Sequence, residues 1–143
     1  MQGWAKLVPE FLVKDLQESL CFWRDLIGFV VVYDRLEQGF AYLDCNGAQI
    51  MLEQFDPGSG AWLTGPLERP LGRGINFQID ITSIQPVLDR LIKAGWPLFA
   101  APEEAWYRNG DVERGQRQFL VMDPDGYLLR FIEFIGVRDI HET

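Results

Sequence analysis

The feature of the sequence that most constrains its fold is a repeated order of secondary structure. In the first copy, strand-like residues 7–14 run directly into a helix signal, because Asp15 and Glu18 have the spacing of a capping box. Gly28 suits the C-terminal end of that helix. An apolar helical stripe and three strands complete the copy: the stripe is Leu16, Leu20, Trp23 and Ile27, and the strands are 29–36, 39–45 and 48–55.

The same order returns in the second half of the chain. Residues 73–80 are the next predicted strand, Thr82 and Gln85 form a second capping box, and Gly95 suits a second helix end. Residues 56–72 between the copies are rich in glycine and proline and are predicted as a linker loop. The second stripe is Ile84, Val87, Leu88 and Leu91, and the strands after it are 96–100, 117–123 and 127–135.

Each half is therefore predicted as a βαβββ module. Two such modules in tandem give an α+β fold, and a length of 143 residues fits a single domain, residues 1–143. Module one spans about 6–55 and module two about 73–135, with the linker loop between them.

The two copies differ in one place. Gly28 and Gly47 are 19 positions apart, whereas Gly95 and Gly126 are 31 apart, and the extra residues centre on 102–115. A long loop over a rigid sheet is a common place for binding residues, but aromatic residues also fasten an Ω-loop to the protein body. Both interpretations stay open for the aromatic pair Trp106 and Tyr107, which lies among the acidic Glu103, Glu104 and Asp111.

The charge balance narrows the class of partner. Lys and Arg number 13 against 21 Asp and Glu, a formal net charge of −8. Nucleic-acid binding needs a basic footprint and is disfavoured, whereas an acidic surface attracts cationic small molecules or serves solubility alone. No apolar run is long enough to span a membrane and the N-terminus lacks signal-peptide features, so a cytoplasmic protein is expected. Cys21 and Cys45 are then expected to be reduced and structural.

Three stretches carry a resemblance to a known family. They are FLVKDLQESLCFWRDLIGF, GINFQID followed by a helix, and FLVMDPDGYLLRF. Their order and spacing resemble the vicinal oxygen chelate superfamily, the glyoxalase, bleomycin-resistance and dioxygenase group. The resemblance implies that the two modules form an incomplete barrel around a central cleft, and that the protein is a homodimer.

The resemblance also locates the positions at which enzymes of this group hold a divalent metal. One His, Gln or Glu from each of four strands is the usual ligand set. Carried over by motif, the positions are Val8 and Met51 in module one, and Gly74 and Arg130 in module two. These side chains do not suit a divalent cation, so no metal and no cofactor is expected.

Arg130 raises its own question, because a guanidinium cannot ligate a cation. It can form an ion pair with Glu10 or Glu53, or bind an acidic or carbonyl group of a ligand, and both alternatives stay open. The same two glutamates lie two residues from ligand positions, so a carboxylate-only Mg²⁺ or Ca²⁺ site also stays open. The single histidine, His141, is expected to be a solvated tail residue.

A metal-free cleft in an acidic protein is similar to the bleomycin-resistance branch, whose members sequester a basic glycopeptide antibiotic without altering it. The resemblance therefore implies a metal-independent protein that sequesters a cationic or aromatic small molecule, such as a bleomycin-like antibiotic. An enzyme of the same fold, a lyase or isomerase of unknown substrate, is the alternative, and a structural or regulatory dimer with a vestigial cleft is a third. Strand alternation and loop position indicate these ligand-binding residues: Glu10, Phe40, Tyr42, Met51, Glu53, Trp62, Asn76, Trp106, Tyr107 and Arg130.

Several of these residues also have plainer interpretations. Phe40 and Tyr42 fit ordinary core or dimer contacts equally well. Asn76, with its strand neighbour Gln78, can serve to satisfy nearby backbone groups. A ligand role is therefore a hypothesis for each of them.

Overall fold

The structure is a computed structural model in which the chain forms two compact units. The linker predicted at 56–72 lies within the first unit, and so does the turn that begins at Asp123. His141 lies outside the described residues. The structure describes residues 3–58, 60 and 62–140; the first unit is Met1–Gly74 with Asp123–Tyr127, and the second is Ile75–Met122 with Leu128–Thr143.

The first unit consists of a helical segment and a four-stranded sheet, with the elements β1 (Glu10–Val13), α1 (Leu16–Leu20), a π-helix (Cys21–Ile27), β2 (Val30–Arg35), β3 (Phe40–Cys45) and β4 (Ala48–Gln54). The strand order in the sheet is β1-β4-β3-β2. β1 pairs with β4 in parallel, and the other pairs are antiparallel. This is the βαβββ order predicted for module one.

The first helix begins at the predicted residue. Asp15 Oδ1 accepts hydrogen bonds from two backbone N–H groups of the first turn, at 2.9 and 3.2 Å, a cap that contributes about 1 kcal/mol. Phe11 in β1 stacks on Trp23 with ring centroids 5.5 Å apart, so the helical segment covers this face of the sheet. Gly28 ends the segment in the left-handed region, at φ 109°. The predicted stripe is buried at every position, namely Leu16, Leu20, Trp23 and Ile27.

The second unit repeats this topology, with the elements β5 (Asn76–Asp80), α2 (Gln85–Lys93), β6 (Ala100–Asn109), β7 (Val112–Met122) and β8 (Leu128–Asp139). The strand order is β5-β8-β7-β6, with β5 parallel to β8. Phe119 and Phe131 stack at 5.5 Å in its core. The predicted apolar stripe of α2 is buried, as Ile84, Val87, Leu88 and Leu91.

The N-terminus of α2 differs from the prediction. A capping box of Thr82 and Gln85 was expected, but Ile84 is the residue before the first turn and makes no side-chain cap. The backbone N–H of Ile84 instead donates to Glu133 Oε1 of β8, at 2.9 Å. A carboxylate from a distant strand therefore satisfies a donor that the local sequence was expected to satisfy.

The extra residues of the second copy also differ from the prediction. Residues 102–115 were expected to form a loop, and 96–100 a strand. The structure extends β6 from Ala100 to Asn109 and begins β7 at Val112, so the insertion is a long antiparallel hairpin. The alternating side chains of an exposed ribbon resemble a polar loop in sequence, because neither face of such a strand is continuously apolar.

Within the described residues, no helix has the length and apolar character needed to cross a membrane.

Candidate functional site

The face of the first sheet opposite α1 brings together the residues predicted for a site in module one. Directly paired residues on neighbouring strands place their side chains on the same face, with strands about 4.8 Å apart. The pairing sets out two rows, each running in the order β2, β3, β4, β1. The arginine row is Arg35, Phe40, Glu53 and Leu12, and the tyrosine row is Tyr33, Tyr42, Met51 and Glu10.

The aromatic members of the tyrosine row are committed to internal contacts. Tyr42 is buried, and its ring stacks on Tyr33 with centroids 5.3 Å apart, while Trp4 meets it edge-on at 5.2 Å. The Tyr42 hydroxyl donates to Gln49 Oε1 at 2.6 Å. The same oxygen accepts the backbone N–H of Ala5 at 2.8 Å, which fixes the N-terminal segment to the row. Tyr42 therefore supports the wall of the site, and a ligand contact by it remains a prediction.

The two predicted glutamates form a carboxyl pair at the β4–β1 end of the rows. Glu10 lies diagonally across from Glu53 on neighbouring strands. Partial desolvation raises the pKa of Glu10 above its usual value, and the neighbouring carboxyl of Glu53 raises this pKa further. The positive charge of Arg35 acts in the opposite direction on the same pKa. Two neighbouring carboxyls offer negative charge and oxygen acceptors to a cation.

A pocket of about 390 Å³ is lined by Glu10, one member of the carboxyl pair. Glu10 and Leu12 of β1 line it on one side, and the linker segment from Trp62 to Arg73 lines it on the other, with Tyr127. Trp62 is 94% exposed, so its ring is available to a ligand at the rim of the pocket rather than packed inside it.

Sequence analysis missed the two members of the rows that β2 contributes, Tyr33 and Arg35. Both lie in β2, two positions apart, and pair with Tyr42 and Phe40. Alternation within the predicted strand 29–36 places Tyr33 and Arg35 on the same face of that strand. Only the pairing of β2 with β3 shows that this is also the face on which Phe40 lies. The non-local pairing was the missing information.

The site residues predicted in module two lie in the second unit and form separate groups. Trp106 of β6 lies against Gly115, its Nε1 donates to Glu104 at 3.0 Å, and the Arg138 guanidinium lies 4.1 Å from its ring centroid. The hydroxyl of the neighbouring Tyr107 accepts a hydrogen bond from a glutamine at 2.8 Å. Trp106 thus fastens the hairpin, and a binding role for either aromatic residue remains a prediction.

Asn76 and Arg130 lie on the two parallel strands of the second unit. Asn76 is exposed and pairs with Leu128, and Arg130 pairs with Gln78. Arg130 Nε is buried and has no hydrogen-bond partner within residues 3–58, 60 and 62–140. Arg130 Nε is thus not engaged by another described residue. Ligand binding by Arg130 remains a prediction.

The residues at the family's metal positions do not fit a divalent cation. The Val8 side chain has no metal-binding atom, and Gly74 has no side chain. Met51 has only a thioether sulfur and Arg130 is itself a cation, whereas Mg²⁺ and Ca²⁺ take oxygen ligands. In the part of the chain that the structure describes, no three His, Cys, Asp or Glu side chains come together as a metal site.

Comparison with known proteins gives consistent matches along the chain. A sequence model of the family described as Glyoxalase/Bleomycin resistance protein/Dioxygenase superfamily matches residues 7–131. The bleomycin resistance proteins of Geobacillus stearothermophilus and Staphylococcus aureus are each 27% identical over 139 residues, 90% of this chain and 96% of theirs. Among solved structures, TioX from Micromonospora sp. ML1 has a TM-score of 0.71 at 18% identity, covering 93% of this chain and 100% of that chain. A glyoxalase/bleomycin resistance protein/dioxygenase from Alicyclobacillus acidocaldarius has a TM-score of 0.61 at 16% identity, covering 91% of each chain.

Proposed function

The chain belongs to the glyoxalase/bleomycin resistance protein/dioxygenase superfamily. Within this superfamily, we propose that it is a metal-independent binding protein for a cationic or aromatic small molecule. The ligand is of the bleomycin type, an antibiotic held without chemical change. Sequence similarity to bleomycin resistance proteins at 27% identity supports this choice over an enzyme of the same fold. The unsuitable donor set at the family's metal positions supports it as well.

The observation that carries the proposal is the Glu10–Glu53 carboxyl pair, which lies beside a pocket and on the same sheet face as the aromatic side chains of Tyr33, Phe40 and Tyr42. A cationic group at the carboxyls gains a charge-assisted hydrogen bond. An aromatic group gains stacking contacts with side chains such as Trp62, which is exposed at the pocket rim. The pocket volume of about 390 Å³ lies in the range of small-molecule sites.

The test is a tryptophan-fluorescence titration with metal-free bleomycin, repeated by calorimetry. Trp62 lines the pocket and Trp4 contacts the tyrosine row, so both report on the site. The wild-type protein is expected to bind saturably. Glu53→Gln is expected to bind about fivefold more weakly, since one charge pair is lost. Glu18→Gln, an exposed helix residue, removes the same charge and is the matched control.

Affinity is also expected to fall as the pH is lowered through the raised pKa of Glu10, because protonation removes the charge that attracts the ligand. No saturable signal from bleomycin or from a panel of cationic glycopeptides and aromatic amines would remove the proposed function. Equal weakening by Glu53→Gln and Glu18→Gln would instead show that only overall charge matters. The homodimer that the resemblance implies is a further prediction, tested by sedimentation of the same samples.

A further inference from the structure

Arg35 occupies the aromatic part of the proposed site. Its guanidinium carbon lies 4.0 Å from the ring centroid of Phe40 and 5.9 Å from that of Tyr33. The two rings are tilted by 37°, with their centroids 5.8 Å apart, so they form a platform beneath one cation. Cation–π attraction acts at such distances. The site as folded therefore already holds a planar cation.

The Arg35 guanidinium lies over the ring of Phe40 and shields it from solvent. Phe40 was predicted to contact the ligand, yet it is only 5% exposed and its ring lies under the guanidinium. A ligand that stacks on Phe40 must therefore take the position of the Arg35 head group. Tyr33 is 39% exposed, so the edge of the platform is open to an incoming group.

Among the described residues, the contacts that hold Arg35 are weak. Its Nε donates to Gln38 Oε1 at 2.9 Å, and this pair is exposed. Neither ion pair found among the described residues involves Arg35. An exposed arginine with one neutral hydrogen bond keeps much of its side-chain freedom and can leave the platform at small cost.

The charges around the platform also favour a cation from outside. Glu10 and Glu53 supply two carboxyls, and the positive charge of Arg35 acts on Glu10. Arg73 also lines the pocket beside Glu10. Displacement of Arg35 by a ligand cation leaves this balance unchanged, because one positive charge replaces another. A neutral ligand would leave the carboxyls without that compensation.

We propose that the Arg35 guanidinium occupies the position of the ligand when no ligand is bound. The ligand is a planar cation, a guanidinium or amidinium, which displaces Arg35 from the rings of Phe40 and Tyr33. This inference rests on the proposed function and specifies its ligand class. It makes Arg35 a residue that lowers affinity and sets specificity: only a cation that stacks at least as well as Arg35 can enter.

The probe is benzamidine, with its neutral analogue benzamide as the matched ligand. Calorimetric titrations compare the wild type with Arg35→Ala, and with Arg24→Ala as a control that removes an equal charge from the exposed helix surface. Arg35→Ala is expected to bind benzamidine about fivefold more tightly than wild type, since no resident cation must leave. Benzamide affinity and the Arg24→Ala variant are expected to stay near the wild-type values. The gain is expected to persist at high salt, where long-range attraction is screened.

Two further measurements keep the result specific. Arg35→Lys keeps the charge but lacks the planar head group, and it is expected to give a smaller gain than Arg35→Ala. In wild type, the Nε–Hε signal of Arg35 is expected to shift on saturation with benzamidine, because its contacts with Gln38 and Phe40 are lost.

The outcomes separate this inference from the proposed function. Equal benzamidine affinity of wild type and Arg35→Ala, or an equal gain for benzamide, overturns the inference while bleomycin binding still stands. Binding of bleomycin without any binding of benzamidine overturns the planar-cation class alone. Absence of binding for bleomycin, the wider panel and both probes overturns the proposed function, and the inference falls with it.

Discussion

The repeat places two turns at equivalent positions, Asp44–Gly47 between β3 and β4 and Asp123–Gly126 between β7 and β8. Both begin with an aspartate and end with a glycine in the left-handed region, at φ 96° and 93°. In the first turn, the N–H of the glycine donates to the aspartate side chain at 3.2 Å. In the second, it donates to the aspartate carbonyl at 3.0 Å. The local sequence pattern thus sets a similar chain reversal in both places.

The surroundings of the two turns differ. Asp123 is 0% exposed and accepts hydrogen bonds from the backbone N–H groups of Asp125 and Tyr127 and from Trp23 Nε1. Asp44 is half-buried, and the turn after it borders open space at Gly47. A short motif therefore specifies backbone geometry, whereas residues distant in sequence decide whether that geometry becomes part of a core.

Substitution of the two turn glycines by alanine should give the largest difference in stability between the two turns. Both positions have positive φ, which costs a non-glycine residue about 1–2 kcal/mol. A Cβ at Gly47 meets nothing within 4 Å, whereas a Cβ at Gly126 lies 2.6 Å from Pro70 Cα. Gly126→Ala is therefore expected to lower the free energy of unfolding by about 1–3 kcal/mol more than Gly47→Ala. Urea denaturation of both variants checks this, and equal losses would show that Pro70 moves aside freely.

Asp123→Asn should show how the burial of Asp123, the aspartate of the second turn, affects the free energy of unfolding. Burial raises the pKa of Asp123 to about 7, with a smaller upward effect of Asp125 opposed by the hydrogen bonds that Asp123 accepts. The folded state therefore binds the proton more tightly than the unfolded state, whose pKa is about 3.9. The stabilisation is complete below the unfolded-state pKa and is lost as the pH rises to about 7.

The expected difference between wild type and Asp123→Asn is thus dependent on pH. Wild type loses stability between pH 5 and 7 at about 1.4 kcal/mol per unit from this group, and the asparagine variant lacks that slope. Other carboxyls titrate in both proteins and cancel in the difference. Urea midpoints at pH 5, 6, 7 and 8 measure it, and parallel curves for the two proteins would contradict the buried, protonated state.

The same contrast explains what the sequence could predict. Turn glycines, the Asp15 cap and the apolar helix stripe were predictable, because each depends on residues within a few positions of one another. Alternation with period two also placed Glu10, Met51 and Glu53 on one face, as the strand pairing shows. These features are local or follow from strand geometry.

Most of the features that were missed depend on contacts between secondary-structure elements. The helix cap on Ile84 comes from Glu133, which is 49 positions away. The hairpin of β6 and β7 is joined by strand pairing and by the packing of Trp106 on Gly115. Asn109 and Gly110 at its turn are a hairpin signal that the sequence analysis did not use. Arg35 over Phe40 needs both the order of the strands and the direction of a long side chain. Tertiary packing decides such contacts, and one sequence carries no direct signal of it.

The hydrogen bond from Trp23 Nε1 to Asp123 Oδ2, at 3.3 Å, is the contact that distinguishes the second turn most directly. Trp23→Phe removes the donor and keeps an aromatic ring, so it is expected to cost about 1–3 kcal/mol from the lost bond and the smaller side chain. A double-mutant cycle with Asp123→Asn separates the two contributions, with an expected coupling energy of about 1 kcal/mol. Strict additivity of the two substitutions would mean that the hydrogen bond contributes nothing.

The smallest expected effect is that of Tyr127→Phe, at the residue that follows the second turn. The Tyr127 hydroxyl donates to the carbonyl oxygen of Leu12 in β1 at 2.9 Å, and its ring contacts Phe11 with centroids 4.7 Å apart. The equivalent residue after the first turn is Ala48, which has neither contact. Removal of the hydroxyl keeps the ring contact and is expected to cost about 1 kcal/mol in urea denaturation. Because Tyr127 also lines the pocket beside Glu10, unchanged bleomycin affinity in this variant would show that the second turn supports the pocket wall without touching the ligand through its hydroxyl.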